Sequence, residues 1–332
     1  MADVVVIITK KCKMEDGSYD VTSASAEVKA EVKAEAKSHY SRVMIMGGHV
    51  DWTASAATDI YDYAARTIKR GPEMKVARYD HASVTLSDGK IAVFGGVNEA
   101  ESALSSCEVF DPKSNSFREV GHMLRKRSCP AACLLPDKRV FICGGGGEGC
   151  NRPDYSNSSS CEFYTPEDNT FAASKAKLRT GRIAFTASLM RNGKVLVCGG
   201  YNGFFDLRTT EIYDPVTDSF SNGPQMVNKR SGHTATVLAD GRILITGGDC
   251  GARSHSTEIY DPETNSFSMG QTMGAAGYSH YSALLPDGKV FFGGGFTFDH
   301  KQAVEIYDPV EFSFSTEFDL LQVRDYASAA LF

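Results

Sequence analysis

Six short apolar runs punctuate this chain, and each leads into a pair of glycines. They occupy residues 43–46, 91–94, 140–143, 195–198, 243–246 and 290–292. A continuous apolar run of this length predicts a strand buried on both faces. Upstream of each of the last five lies a stretch of small and β-branched residues, such as Thr234-Ala235-Thr236-Val237-Leu238, which predicts a second strand. Asp240-Gly241 joins the two. Both residues tolerate positive φ, so the pair predicts a two-residue hairpin. Downstream, Ser256-Thr257-Glu258-Ile259-Tyr260 alternates as a third strand, Asp261-Pro262 is turn chemistry, and Phe267 opens a fourth strand.

The same order recurs along the chain. The second glycines of the pairs are Gly48, Gly96, Gly145, Gly200, Gly248 and Gly295, so the steps are 48, 49, 55, 48 and 47 residues. A period near 50 with four strands per unit predicts a β-propeller. The fold class is therefore all-β, a six-bladed propeller of four-stranded blades. Its first unit begins at the second strand, and residues 324–332 match residues 78–86. The C-terminal strand is thus expected to join the first blade and close the ring. The propeller spans 41–332. Residues 1–40 form an N-terminal extension with an Ala-Glu-Val-Lys repeat, read as a helix or a mobile segment.

The double glycine, the Asp-Pro turn and an aromatic pair seven residues apart together resemble the kelch repeat. The aromatic pairs are Phe110 and Phe117, Tyr164 and Phe171, Tyr213 and Phe220, Tyr260 and Phe267, and Tyr307 and Phe314; the first unit has Tyr61 and Ile68. The family usually carries Trp where this chain has its second Phe, a change of packing volume and not of architecture. The resemblance implies a protein-interaction module. In some members of the family, channel-mouth arginines grip acidic peptide motifs.

Composition narrows the partners. A net charge of −6 argues against nucleic acid. No apolar stretch is long enough to span a membrane. Nine cysteines without regular spacing fit buried free thiols and a cytoplasmic location better than a disulfide framework. No cofactor and no metal site is expected. Gly144-Gly145-Gly146-Gly147-Glu148-Gly149 fits G-x-G-x-x-G, but Pro153 follows where a dinucleotide site needs a helix. Cys129 and Cys133 lack the usual zinc-ligand pairing.

The candidate site lies where the loops vary. The loops between second and third strands share one face with the entries to the first strands. Arg78, Arg127, Arg182, Arg230 and Arg324 occupy one repeat position at those entries, with Gly277 in the sixth unit. Two readings stand side by side: a ring of guanidiniums around the channel mouth for an acidic ligand, or arginines bonded to their own blade's carbonyls or to a neighbouring acid. Trp52, Tyr201, Phe204, Phe205, Phe296 and Phe298 add aromatic character to this face. His81, His233 and His280 share a position beside the arginines and read as packing residues. The functional expectation is a non-catalytic binding module or scaffold that recognises a protein or an acidic ligand on this face, a protein partner with an acidic motif being one form of it. The alternative is a small-molecule enzyme of the sugar mutarotase type, using channel Arg with Glu or His. Oligomeric state is left open.

Overall fold

The computed structural model describes residues 41–100, 103–147, 158–248, 255–274, 277–295 and 303–332. The N-terminal extension, Phe296, Phe298 and most of the loop 146–161 lie outside the described residues. No helix among the described residues is long and apolar enough to cross a membrane.

Six antiparallel four-stranded sheets make up the compact unit Ser41–Phe332. We number them as blades from the one that contains Gly47-Gly48. Blade 2 shows the plan, with strands Ala82–Thr85, Ile91–Phe94, Ser106–Asp111 and Ser116–His122 in spatial order. The innermost strands of the six blades contact one another in a closed cycle around the axis. The ring closes as the sequence implies. Ser328–Leu331 is the innermost strand of blade 1 and pairs with Arg42–Met46 in the register Val43↔Leu331 to Met46↔Ser328. Phe332 and Arg42 also exchange both backbone hydrogen bonds, at 2.8 and 3.2 Å.

Burial explains the pattern. Every residue of Ile91–Phe94, Val140–Cys143, Val195–Cys198 and Ile243–Thr246 is buried, because the second strand is covered by a blade on each side. Six apolar clusters result, each between two adjacent blades. The spacing of seven between aromatics follows from pairing. Tyr164 lies directly opposite Phe171, Tyr213 opposite Phe220 and Tyr260 opposite Phe267 in the outer hairpin. The tyrosine hydroxyl then donates to the turn residue five places on, as from Tyr260 to Asn265 Oδ1 at 2.9 Å and from Tyr213 to Asp218 Oδ1 at 2.9 Å. Both turn residues hold a positive φ, which Asn and Asp accept at low cost.

The inner hairpins differ from expectation. Leu86 and Lys90 close the turn, with Leu86 N donating to Lys90 O at 2.7 Å and Gly89 N to Leu86 O at 3.0 Å. Three residues therefore form the loop, and Gly89 alone of them has a positive φ, at 82°. This is a turn followed by a left-handed glycine, not a two-residue loop with two left-handed residues. Lys138 takes the same conformation, at 69°, where the sequence lacks glycine.

The described cysteines are 107, 129, 133, 143, 161 and 198; all are buried free thiols. Burial pushes Cys107 and Cys133 up to about 12, far from the reactive thiolate.

Candidate functional site: the channel mouth and its loops

The arginine series is structural. Arg78, Arg127, Arg182, Arg230 and Arg324 are all at most 1% exposed. Each backbone sits at the mouth, but each side chain runs outward into its own blade. Arg78 Nη1 donates to Gly95 O at 2.6 Å and Ser106 O at 3.0 Å, and Nη2 pairs with Glu108 Oε1 at 2.9 Å. Arg182 repeats this with Gly199 O, Thr209 O and Glu211. Arg230 does so with Gly247 O, Ser256 O and Glu258. Arg127 binds Gly144 O, Ser160 O and Glu162. Arg324 reaches across the ring closure to Gly47 O, Ala57 O and Asp59.

The backbone of the same residue holds the preceding blade. Gly48 N donates to Arg78 O at 2.9 Å, Gly96 N to Arg127 O at 2.9 Å and Gly200 N to Arg230 O at 2.7 Å. One arginine therefore staples two blades. This contact is also why the glycines come in pairs. Gly47 and Gly95 have positive φ, and a Cβ on either would meet the next blade's arginine carbonyl at 2.4–2.5 Å.

The expected guanidinium ring at the channel mouth is thereby corrected. The charges are satisfied below the surface, and no ligand can reach them without breaking the blade. The neighbouring acid of the second reading is the first residue of an acidic-apolar-aromatic triplet that recurs in the third strands: Asp59, Glu108, Glu162, Glu211 and Glu258. Its recurrence at the start of every third strand was the available signal. Glu258 also accepts the Val227 and Asn228 amides at 2.7 and 2.9 Å, which shapes the loop above it. Removing one member of such a pair leaves a buried charge. Arg230→Ala is expected to cost about 3–5 kcal/mol, read as a lower urea midpoint. An unchanged midpoint would refute the staple.

The mouth is lined by the residues that follow. Asp80, Cys129, Ala184, Gly232, Ser279 and Tyr326, two places after the arginine position, all take left-handed φ between 49° and 62°. Their backbones link around the axis: Asp80 N to Tyr326 O at 3.0 Å, Cys129 N to Asp80 O at 2.8 Å, Gly232 N to Ala184 O at 2.8 Å, Ser279 N to Gly232 O at 2.7 Å and Tyr326 N to Ser279 O at 3.0 Å. These bonds form a collar at the floor of a depression lined by the six collar residues and their successors. His81, His233 and His280 lie just below, buried. Their Nε2 atoms meet Ser328, Thr186 and Thr234 hydroxyls of the preceding blade at 2.8–3.1 Å. Burial, with Arg78 beside it, pulls His81 down to about 3. Burial and then Arg230 bring His233 to about 3, and burial brings His280 to about 4. Among the described residues, no group of three or more His, Cys, Asp or Glu is arranged to hold a metal ion.

The loop aromatics do reach solvent. Trp52 is 77% exposed at the tip of a small hairpin, His49–Val50 with Thr53–Ala54, where Asp51 and Trp52 both have positive φ. Phe204 and Phe205 are 80% and 68% exposed. Their amides both bind Asn202 Oδ1, at 3.0 and 2.8 Å, so the turn is fixed while its rings project. Tyr201 is half-buried, and its hydroxyl donates to Gly203 O at 3.1 Å. It supports this turn. Trp52 belongs to blade 1 and Phe204 to blade 4, on opposite sides of the mouth.

A KLHDC2/KLHL20/DRC7 Kelch-repeats domain model matches residues 33–248, and a Kelch motif model matches residues 229–274. The chain belongs to the kelch-repeat family. This kelch protein is 26% identical to Kelch-like protein 38 of Rattus norvegicus over 58% of its own length and 31% of the relative's. It is 25% identical to an F-box/kelch-repeat protein of Arabidopsis thaliana, over 61% of its own length and 47% of the relative's. A galactose oxidase of Gibberella zeae is 27% identical over 62% of this chain and 32% of the oxidase. The chain thus spans under half the length of these curated relatives. Among solved structures, a copper-bound fungal alcohol oxidase superposes with a TM-score of 0.61 at 16% identity, covering 86% of this chain and 64% of the oxidase. YjhT superposes with a TM-score of 0.63 at 13% identity, covering 78% and 89%. These two establish the fold. The relatives thus include proteins named for their kelch repeats and one named as an oxidase.

Proposed function

We propose that this kelch protein is a binding module that captures a protein partner across its long-loop face. The observation that carries the reading is the trio Trp52, Phe204 and Phe205: large apolar rings held in solvent by ordered turns. Rigid exposed aromatics lose little entropy on binding and are typical interface anchors. Because they flank the mouth from blades 1 and 4, a partner touching both must lie over it. The Kelch-like and F-box/kelch relatives support the same class.

An acidic motif in the partner would meet other cations than the buried five. Lys75, Arg125, Lys126, Arg179 and Lys229 are exposed on the loops that lead into the innermost strands of blades 2 to 5. The mutarotase-type alternative finds less support. Its arginines and most of the triplet acids neutralise one another in buried pairs, and its histidines are buried and neutral.

The test is affinity capture of partners from a cell extract, followed by binding measurements on the captured protein. Trp52→Ala and the double change Phe204→Ala/Phe205→Ala are each expected to weaken binding at least about tenfold, as for truncated anchors. Thermal stability should change little, since all three rings are mostly in solvent. Full binding by both variants would move the interface elsewhere.

A further inference from the structure

The mouth is not chemically uniform around its circumference. In blades 3, 4 and 5 the two positions after the arginine are Ser128 and Cys129, Ile183 and Ala184, and Ser231 and Gly232. In blades 6, 1 and 2 they are Tyr278 and Ser279, Asp325 and Tyr326, and Tyr79 and Asp80. One half carries no aromatic and no charged residue; the other is aromatic and acidic. His49, the residue after the blade 1 glycines, completes the second half. Its ring centroid lies 3.8 Å from Tyr79 and 5.5 Å from Tyr326. Tyr326 is in turn 6.2 Å from Tyr79 and 6.3 Å from Tyr278, both edge-on. All six residues are half-buried, and Asp80 and Tyr326 line the depression at the mouth.

The sector holds two carboxylates, Asp80 and Asp325, and His49 Nδ1 lies 3.9 Å from Asp325 Oδ1. Burial raises Asp325 from its ordinary value, and the neighbouring His49 opposes that shift. The Tyr326 phenol is raised as well, first by burial and then by the nearby Asp80 carboxylate, with Tyr278 and Asp325 adding to it. The nearest arginines, Arg78 and Arg324, are neutralised beneath by Glu108 and Asp59. A cluster of π-faces beside two partly desolvated carboxylates attracts a cation, through the ring quadrupoles and directly through charge.

We infer that the sector formed by His49, Tyr79, Tyr278 and Tyr326 with Asp80 and Asp325 receives a cationic side chain, arginine or lysine, from the partner polypeptide. The inference rests on the loop face being the docking surface and adds what enters its centre. The sign is opposite to that implied by the arginine series: the exposed mouth is acidic, and the arginines are spent inside the blades. A polypeptide running from Trp52 to Phe204 crosses the mouth, so one basic residue between its two apolar anchors suits the arrangement.

The probe is a capped tripeptide, Gly-Arg-Gly, titrated into protein carrying labelled tyrosine rings and followed by NMR. The controls are the Gly-Lys-Gly peptide and a Gly-citrulline-Gly peptide, which keeps the shape and loses the charge. Arginine and lysine peptides are expected to shift the Tyr79, Tyr278 and Tyr326 resonances saturably, with Kd about 1 mM, as suits one isolated side chain. Citrulline should leave them in place. Asp80→Asn, nearly isosteric, is expected to weaken arginine binding about threefold to tenfold, and Tyr326→Phe, which keeps the π-face, should retain it. Equal binding of citrulline, no shift with arginine, or full affinity in Asp80→Asn/Asp325→Asn overturns the inference. A protein that captures its partner through Trp52 and Phe204 yet ignores the arginine peptide likewise overturns it, while leaving the docking face intact.

Discussion

Deleting residues 324–332 is expected to abolish cooperative folding of the whole propeller, not to fray one end of it. The segment supplies the innermost strand of blade 1, so its loss leaves the backbone of Arg42–Met46 unpaired along a full edge. It also supplies Arg324, whose removal leaves Asp59, 2% exposed, with Arg70 as its remaining ion-pair partner. Its apolar residues belong to two cores at once. Ala330 and Phe332 pack between blades 1 and 2, while Ala327, Ala329 and Leu331 pack toward blade 6. Tyr326 carries one link of the collar on each side, to Asp80 and to Ser279. A ring that loses one of six interfaces becomes an open stack whose end blades expose buried strands, and repeat architectures tolerate that poorly. Scanning calorimetry of the truncated chain should show no single sharp transition, and a synthetic peptide of residues 324–332 added in trans should restore one. A truncated chain melting as cooperatively as the full chain would show that closure is dispensable.

That closure was legible because it rests on a match between two segments of one repeat, residues 78–86 and 324–332. Strand order, the buried second strands and the aromatic pairing were legible for the same reason: periodicity reports the environment that every unit shares. The arginines misled because register locates a Cα and not the course of a long side chain. Arg78 starts at the mouth and ends on Gly95 O and Glu108, a path set by hydrogen-bond demand inside the blade. The aromatic and acidic sector was hidden for the converse reason. Tyr79, Tyr278 and Asp325 share a repeat position with Ser128, Ile183 and Ser231, so they are departures from the repeat. What every blade needs for folding recurs, and what one sector does alone appears where recurrence stops. The inner hairpins show a third limit. Asp-Gly fixed the place of the turn, but closure by Leu86 and Lys90 set its length.

Acidification is expected to destabilise the protein steeply below about pH 6.5, chiefly through His81, His233 and His280. These side chains occupy one position, three places after the arginine site. The ring in each case packs on the preceding blade: a Cβ on Gly47, Gly199 or Gly247 would meet its Cε1 atom at 2.7–2.9 Å. In the folded state all three are neutral, with pKa values near 3, 3 and 4. In the unfolded chain each protonates near 6.5, so the unfolded state binds more protons throughout the interval from about pH 6.5 to 4. The sign is therefore a loss of stability as pH falls, complete only below the folded values. Three protons correspond to a slope of about 4 kcal/mol per pH unit. Two units of such a slope rival the total stability of an ordinary domain. Phe185 holds the equivalent position in blade 4, where its ring lies against Gly144 in the same way. The variant His81→Phe/His233→Phe/His280→Phe should therefore fold. It should lose about 1 kcal/mol per site at pH 7 from the ring nitrogen–hydroxyl bonds. Its urea midpoint should also be nearly flat with pH where that of the parent falls. Parallel pH profiles for the two proteins would assign acid sensitivity to other groups and remove these histidines from the account.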